Sequence, residues 1–250
     1  MSLGFSPATN SWYLSMYSES SIDAAQGHIQ RTPVCVRVWD LPTRVFHWTL
    51  VALVIALFIT GKVGDSAMIW HARAAFWVAC LVTFRVLWGI WGGHWSRFSH
   101  FALSGSALRT QLTTNALWVG HSPTGSLSIV CMILVLAAQL VSGALSADKG
   151  DFFGPFTLFV SDDVVRSFTW YHKNVGQFAL IALVSLHVAA IVYYQCFKGI
   201  SLTRPMVVGD KRLNEPAVNS RDDGTSRGFA FALLCLTALA FALVLNSLGG

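Results

Sequence analysis

Residues 169–195 read TWYHKNVGQFALIALVSLHVAAIVYYQ, and this stretch decides the fold. Its apolar run exceeds the roughly 20 residues a helix needs to cross a bilayer. His172 and His187 stand near its two ends. The fifteen steps between them (187 − 172) correspond to about 60° around a regular helix and about 22 Å along it. One helix therefore carries two imidazoles on nearly one face at two depths. Ligating side chains inside such a segment are costly and mark function.

Composition extends this reading to the whole chain. Of 250 residues, 54% are hydrophobic and 12% charged, and the mean hydropathy is +0.56. Soluble domains carry about 25% charged residues, so the class is all-α integral membrane protein. The net charge of +5 is sorted by side of the membrane and argues against a nucleic-acid partner. The five cysteines stand singly, with no CxxC or CxxCH. That excludes covalent haem attachment of the c type and zinc-ribbon sites.

Residues 1–33 are polar and aperiodic, with no charged segment leading into an apolar one. They read as a disordered cytoplasmic arm, not a cleaved signal peptide. The spans expected after it are Thr43–Gly61, carrying His47; Met68–Gly92, carrying His71 and Arg85; Ser126–Leu145; Thr169–Gln195; and Gly228–Leu248. The polar link Gly93–Pro123 is too weakly apolar to span, and Ser146–Phe168 reads as an acidic loop. The expected division is an arm at 1–33, a cofactor-binding membrane domain at 34–200, a basic connector at 201–227 and a fifth helix at 228–250. No internal repeat or low-complexity tract stands out.

Five spans place the termini on opposite sides. Eleven Lys and Arg residues, from Arg31 to Arg227, fall on one side and at most five on the other. The positive-inside rule then makes the N-terminus cytoplasmic. That orientation sorts four histidines into two depth-matched pairs, His47 with His187 and His71 with His172. Two imidazoles from facing helices are what a non-covalent haem iron requires. Haem propionates need cations at the same depth. Arg44, three residues before His47, and Arg85 are the candidates near the inner pair, with Arg73 and Lys173 near the outer one. His121, in GHSPTG, is read as lining a quinone pocket or capping the third span. His94 and His100 read as solvated.

The runs VRVWDLPTRVFHW (36–48), FRVLWG (84–89), GHSPTG (120–125) and SLHVAAIVYY (185–194), in this order, resemble the bacterial cytochrome b561 family. That family includes b-type cytochrome subunits of nickel–iron hydrogenases. The resemblance covers roughly residues 34–210. It implies a four-helix core binding two haem b groups, whose axial ligands fall on His47, His71, His172 and His187. It further implies electron transfer between membrane quinone or quinol and a redox partner, often periplasmic, such as a c-type cytochrome or a hydrogenase.

The expected protein is thus a four-helix di-haem bundle with a fifth C-terminal transmembrane helix. It lies in a bacterial inner membrane, and a homodimer is compatible with the sequence. Two alternatives stand beside it: a superoxide/quinone oxidoreductase acting alone, and a transition-metal transporter using intramembrane histidines. The spans contain no Asp or Glu, which counts against the transporter. The acidic loop, with Asp148, Asp151, Asp162 and Asp163, is expected to attract a basic periplasmic cytochrome.

Overall fold

A computed structural model describes residues 33–114, 118–148 and 152–248. The expected 1–33 arm, His28 and Asp151 lie outside the described residues, apart from Pro33. Among the described residues, five helices are long and apolar enough to cross a membrane. In chain order, strand β1 (Val34–Arg37) leads into α1 (Leu41–Val63), and a short turn leads into α2 (Met68–Trp91). Next come α3 (Gly105–Thr113) and α4 (Pro123–Ala144), then the hairpin of β2 (Ala147–Asp148) and β3 (Phe152–Phe153). The chain continues through α5 (Asp162–Tyr171), a π turn (His172–Gly176) and α6 (Gln177–Phe197). Last are α7 (Thr203–Val208), β4 (Asp210–Leu213) and α8 (Gly224–Leu248). Spans of this composition are helical because hydrocarbon offers no partner for backbone N–H and C=O groups.

The bundle core forms where Val78 and Val82 of α2 meet Leu136 of α4 and Leu180 of α6, with Leu53, Val54 and Leu57 of α1 against them. Outward residues such as Ile59, Leu134 and Leu186 are exposed on the lipid side. The fifth span is part of this unit: Ala230 and Leu233 of α8 bury against Phe84 and Trp88 of α2.

Two expectations are corrected. Residues 162–168 are helix, not loop, so the fourth span begins seven residues before Thr169 and runs unbroken to Phe197. Ser161 has the extended backbone of an N-cap, and Asp162 and Asp163 occupy the first turn, where they complement the helix dipole. These acids are helix-start signals. Asp163 is also paired with Arg166, and Asp148 with Lys173 at 2.5 Å, which neutralises much of the acidic surface expected to attract a cytochrome.

The 201–227 segment, expected as a connector, carries α7 and β4. Strand β4 pairs antiparallel with β1, Val34 opposite Leu213 and Arg37 opposite Asp210. Val36, Val38 and Trp39 are buried there against Trp95, Val119, Met206 and Leu213. Lys211 donates to the carbonyl of Trp118 at 2.6 Å. This sheet marks one end of the bundle, the strand end; the β2–β3 hairpin marks the other.

Asp222, which no sequence signal singled out, ties this end together. Its carboxylate accepts from Arg37 at 2.8 Å, from Arg227 at 2.9 Å and from the Leu41 N–H at 3.1 Å. Burial pushes its pKa up. The hydrogen bonds from Arg227 and Leu41, with the charges of Arg227 and Arg37, prevail and hold it below the ordinary carboxylate range.

Candidate functional site

At the hairpin end, the rings of His71 (α2) and His172 (the π turn) have centroids 6.4 Å apart. At the strand end, His47 (α1) and His187 (α6) are also 6.4 Å apart. Two metal–nitrogen bonds of about 2 Å, plus about 1 Å from each nitrogen to its ring centre, total about 6 Å. Each pair therefore has the spacing for one iron between two imidazoles. Among the described residues no three His, Cys, Asp or Glu side chains converge as a metal site. The histidines stand as two pairs.

The π turn helps to place them. An i→i+5 turn holds about one residue more than an α-helical turn. The fifteen residues between His172 and His187 then act as about fourteen helical steps, which changes their offset from about 60° to about −40°. Both side chains stay on one face. Gln139 of α4 braces this turn, donating from Nε2 to the His172 carbonyl at 3.2 Å.

Hydrogen bonds fix the tautomers at the hairpin end. His71 Nδ1 lies 3.1 Å from the Leu57 carbonyl and 3.2 Å from the Thr60 hydroxyl. His172 Nδ1 lies 3.0 Å from the Gln139 carbonyl and 3.2 Å from the Ser142 hydroxyl. A carbonyl only accepts, so each Nδ1 carries the proton and each Nε2 keeps its lone pair. That is the form a metal-binding imidazole takes. The helices also leave room for the rings: a Cβ at Gly143 would lie 2.9 Å from His172 Cε1, and one at Gly61 would lie 3.2 Å from His71 Cε1. At the strand end, His47 Nδ1 is buried with no hydrogen-bond partner among the described residues.

The expected cations divide. Arg85 is 3% exposed, its guanidinium lies 4.9 Å from the Phe98 ring, and its Nη1 has no partner among the described residues. A buried cation with a spare donor fits an anionic group such as a propionate. Arg44 has further partners, Nη1 donating to the Val207 carbonyl at 2.8 Å and Nη2 lying 3.8 Å from Asp222, while its buried Nε has no partner among the described residues. At the hairpin end, Arg73 stacks on Trp70 and Lys173 pairs with Asp148.

Asp40, within the run 36–48, acts as a hub at the strand end. It is fully buried at the N-cap of α1. Oδ1 accepts from the Thr43 N–H at 2.8 Å and from Trp88 Nε1 at 3.2 Å, and Oδ2 accepts from the Ser96 hydroxyl at 2.6 Å. The D-x-x-T spacing after Trp39 was the available signal, since Asp is a favoured N-cap.

His121 does not cap α4; Ser122 does, accepting from the Gly125 N–H at 3.2 Å. The His121 ring packs 4.4 Å from Trp39 and 5.1 Å from Phe101. Burial, and then the Arg85 charge, push its pKa down to about 3. The folded value is below the unfolded value of about 6.5. The neutral ring therefore favours the folded state fully above pH 6.5, and that stability drains away as pH falls from 6.5 toward 3. Thermal unfolding in detergent is expected to lose about 1.4 kcal/mol per pH unit below 6.5 from this residue. A His121→Phe variant, which keeps the aromatic contacts, is expected to flatten that slope; an unchanged slope would count against the assignment.

Residues 38–209, more than half of the chain, match the family described as prokaryotic cytochrome b561. The chain is similar to the probable Ni/Fe-hydrogenase B-type cytochrome subunit of Bradyrhizobium diazoefficiens, with 24% identity over 72% of this chain and 87% of that protein. It is also similar to the protein of the same name from Azotobacter vinelandii, with 25% identity over 78% of this chain and 96% of that protein. No solved structure matches it.

Proposed function

Because the chain belongs to the prokaryotic cytochrome b561 family, and is thus a multi-span membrane b-type cytochrome with an electron-transfer role, we propose that it holds two haem b groups and carries electrons between the quinone pool and a redox partner outside the membrane. The two histidine pairs, each at 6.4 Å, carry this reading. Bound haem supplies a one-electron iron couple at each pair. His71 and His172 offer Nε2 at one depth, and His47 with His187 offer a second pair at the other. Arg85 holds a propionate at the strand end. Arg44, with a buried Nε free of partners among the described residues, would be the second cation there.

The lysine and arginine bias puts the strand end in the cytoplasm and the hairpin end outside. The names of the relatives favour a hydrogenase as the partner there, with a c-type cytochrome as the other choice. Quinone chemistry then belongs near an interface, because the spans hold no carboxylate in their apolar interior.

The test is a dithionite-reduced minus oxidised spectrum of the purified full chain, with haem extracted and counted. Two extractable haems per chain are expected, with low-spin b-type bands. One haem, none, or a covalently retained one would overturn the proposal.

A further inference from the structure

Two short stretches that look unrelated in the sequence occupy equivalent places at the hairpin end. Residues 57–61 of α1 read LFITG, and residues 139–143 of α4 read QLVSG. In each, the first residue's carbonyl and the fourth residue's hydroxyl both meet the Nδ1 of one histidine on a neighbouring helix. Leu57 and Thr60 hold His71 at 3.1 and 3.2 Å; Gln139 and Ser142 hold His172 at 3.0 and 3.2 Å. In each, the fifth residue is glycine, and a Cβ there would crowd the same imidazole at Cε1, at 3.2 Å from His71 and 2.9 Å from His172.

The hydroxyls are oriented for this task. Thr60 Oγ1 donates its own proton to the Ala56 carbonyl at 2.7 Å, and Ser142 Oγ donates to the Gln139 carbonyl at 3.1 Å. Each oxygen thus turns a lone pair toward the imidazole N–H. Every Nδ1–H at this end faces two acceptors, which draws its proton outward and makes the ring a more basic ligand. The buried Nδ1 of His47, at the strand end, has no acceptor among the described residues.

We infer that the pentapeptides LFITG and QLVSG are twin clamps that position His71 and His172 and give the hairpin-end haem the lower reduction potential of the two. This rests on the proposed ligand assignment. A more basic axial ligand stabilises ferric over ferrous iron, and hydrogen bonding beyond the ligands is one of the levers by which proteins set haem potentials. Thr60 and Ser142 are positioning residues, acting through the histidines. With haem bound at both pairs, transfer of one electron from the hairpin end to the strand end would then be downhill.

The test is an optical redox titration of the purified full chain carrying Thr60→Val, Ser142→Ala or both. Each substitution removes an acceptor with little change in volume. The lower of the two midpoints is expected to rise, by threefold to tenfold in the reduction equilibrium for the double variant. Tenfold is about 59 mV for a one-electron couple. The higher midpoint is expected to stay in place, and Thr60→Ser and Ser142→Thr, which keep the hydroxyl, are expected to restore the original value. A purely structural role would loosen haem without this graded and rescued shift.

His71→Ala identifies the components, since it leaves the strand-end haem alone. If that remaining haem titrates at the lower midpoint, the inference is overturned. Two retained haems with both midpoints unmoved by the double variant would also overturn it, while leaving the ligand assignment intact. If His71→Ala itself keeps both haems, the ligand assignment has failed, and the clamp inference fails with it.

Discussion

Replacing His172 with alanine is expected to take the haem content from two per chain to one, and His187→Ala is expected to remove the other. Both residues lie on the fourth span, so both substitutions are made in one helix with the same lipid surroundings. Their partners belong to different helices, His71 to α2 and His47 to α1. The losses should therefore be complementary: the haem that survives His172→Ala should be the one also retained by His71→Ala. A site left with one imidazole would lack one of its two axial ligands. Counting extracted haem and comparing the surviving bands checks this. Two haems retained in His172→Ala, or loss of the same component in both fourth-span variants, would break the pairing.

Asp40→Ala carries the second large effect, on stability. The carboxylate has no solvent access and satisfies the Thr43 N–H, the Trp88 indole and the Ser96 hydroxyl. Trp88 and Ser96 are themselves fully buried. The Trp88 indole left without an acceptor costs about 1–3 kcal/mol and loss of the N-cap adds about 1 kcal/mol, while the Ser96 hydroxyl keeps Thr43 Oγ1 at 2.7 Å. The Arg85 guanidinium would also lose the anion whose charge acts on it. A destabilisation of roughly 4 kcal/mol is expected, seen as a lower thermal midpoint in detergent. Asp40→Asn keeps the shape and the Oδ1 acceptor and should lose less. Gly93 supports this reading, since a Cβ there would lie 2.3 Å from Asp40 Oδ2 and could not fit. Equal stability of Asp40→Ala and the wild type would show that the hub is not energetically central.

Much of the site was legible because it depends on local properties. Apolar runs of sufficient length must become spanning helices, and lysine and arginine choose the side. Those two rules alone matched His47 with His187 and His71 with His172 in depth, the same partners that the packing sets 6.4 Å apart. Arg85, a cation inside an apolar segment, is buried there with Nη1 unpartnered among the described residues. Arg44 likewise keeps a buried Nε without a partner among the described residues, beside its contacts with Asp222 and the Val207 carbonyl.

What the sequence by itself determined, then, is the membrane class and, among the described residues, five segments long and apolar enough to cross the bilayer, since hydropathy acts residue by residue. Only the tertiary structure decided the rest. It paired β1 with β4 and docked α8 on α2. It inserted the π turn between His172 and His187 and aimed the carbonyls of Leu57 and Gln139 at Nδ1. It brought Asp222 to the Leu41 N–H, 181 positions away in the chain. Most of these join groups on different segments. Packing fixes such distances, and no pattern within one helix encodes them.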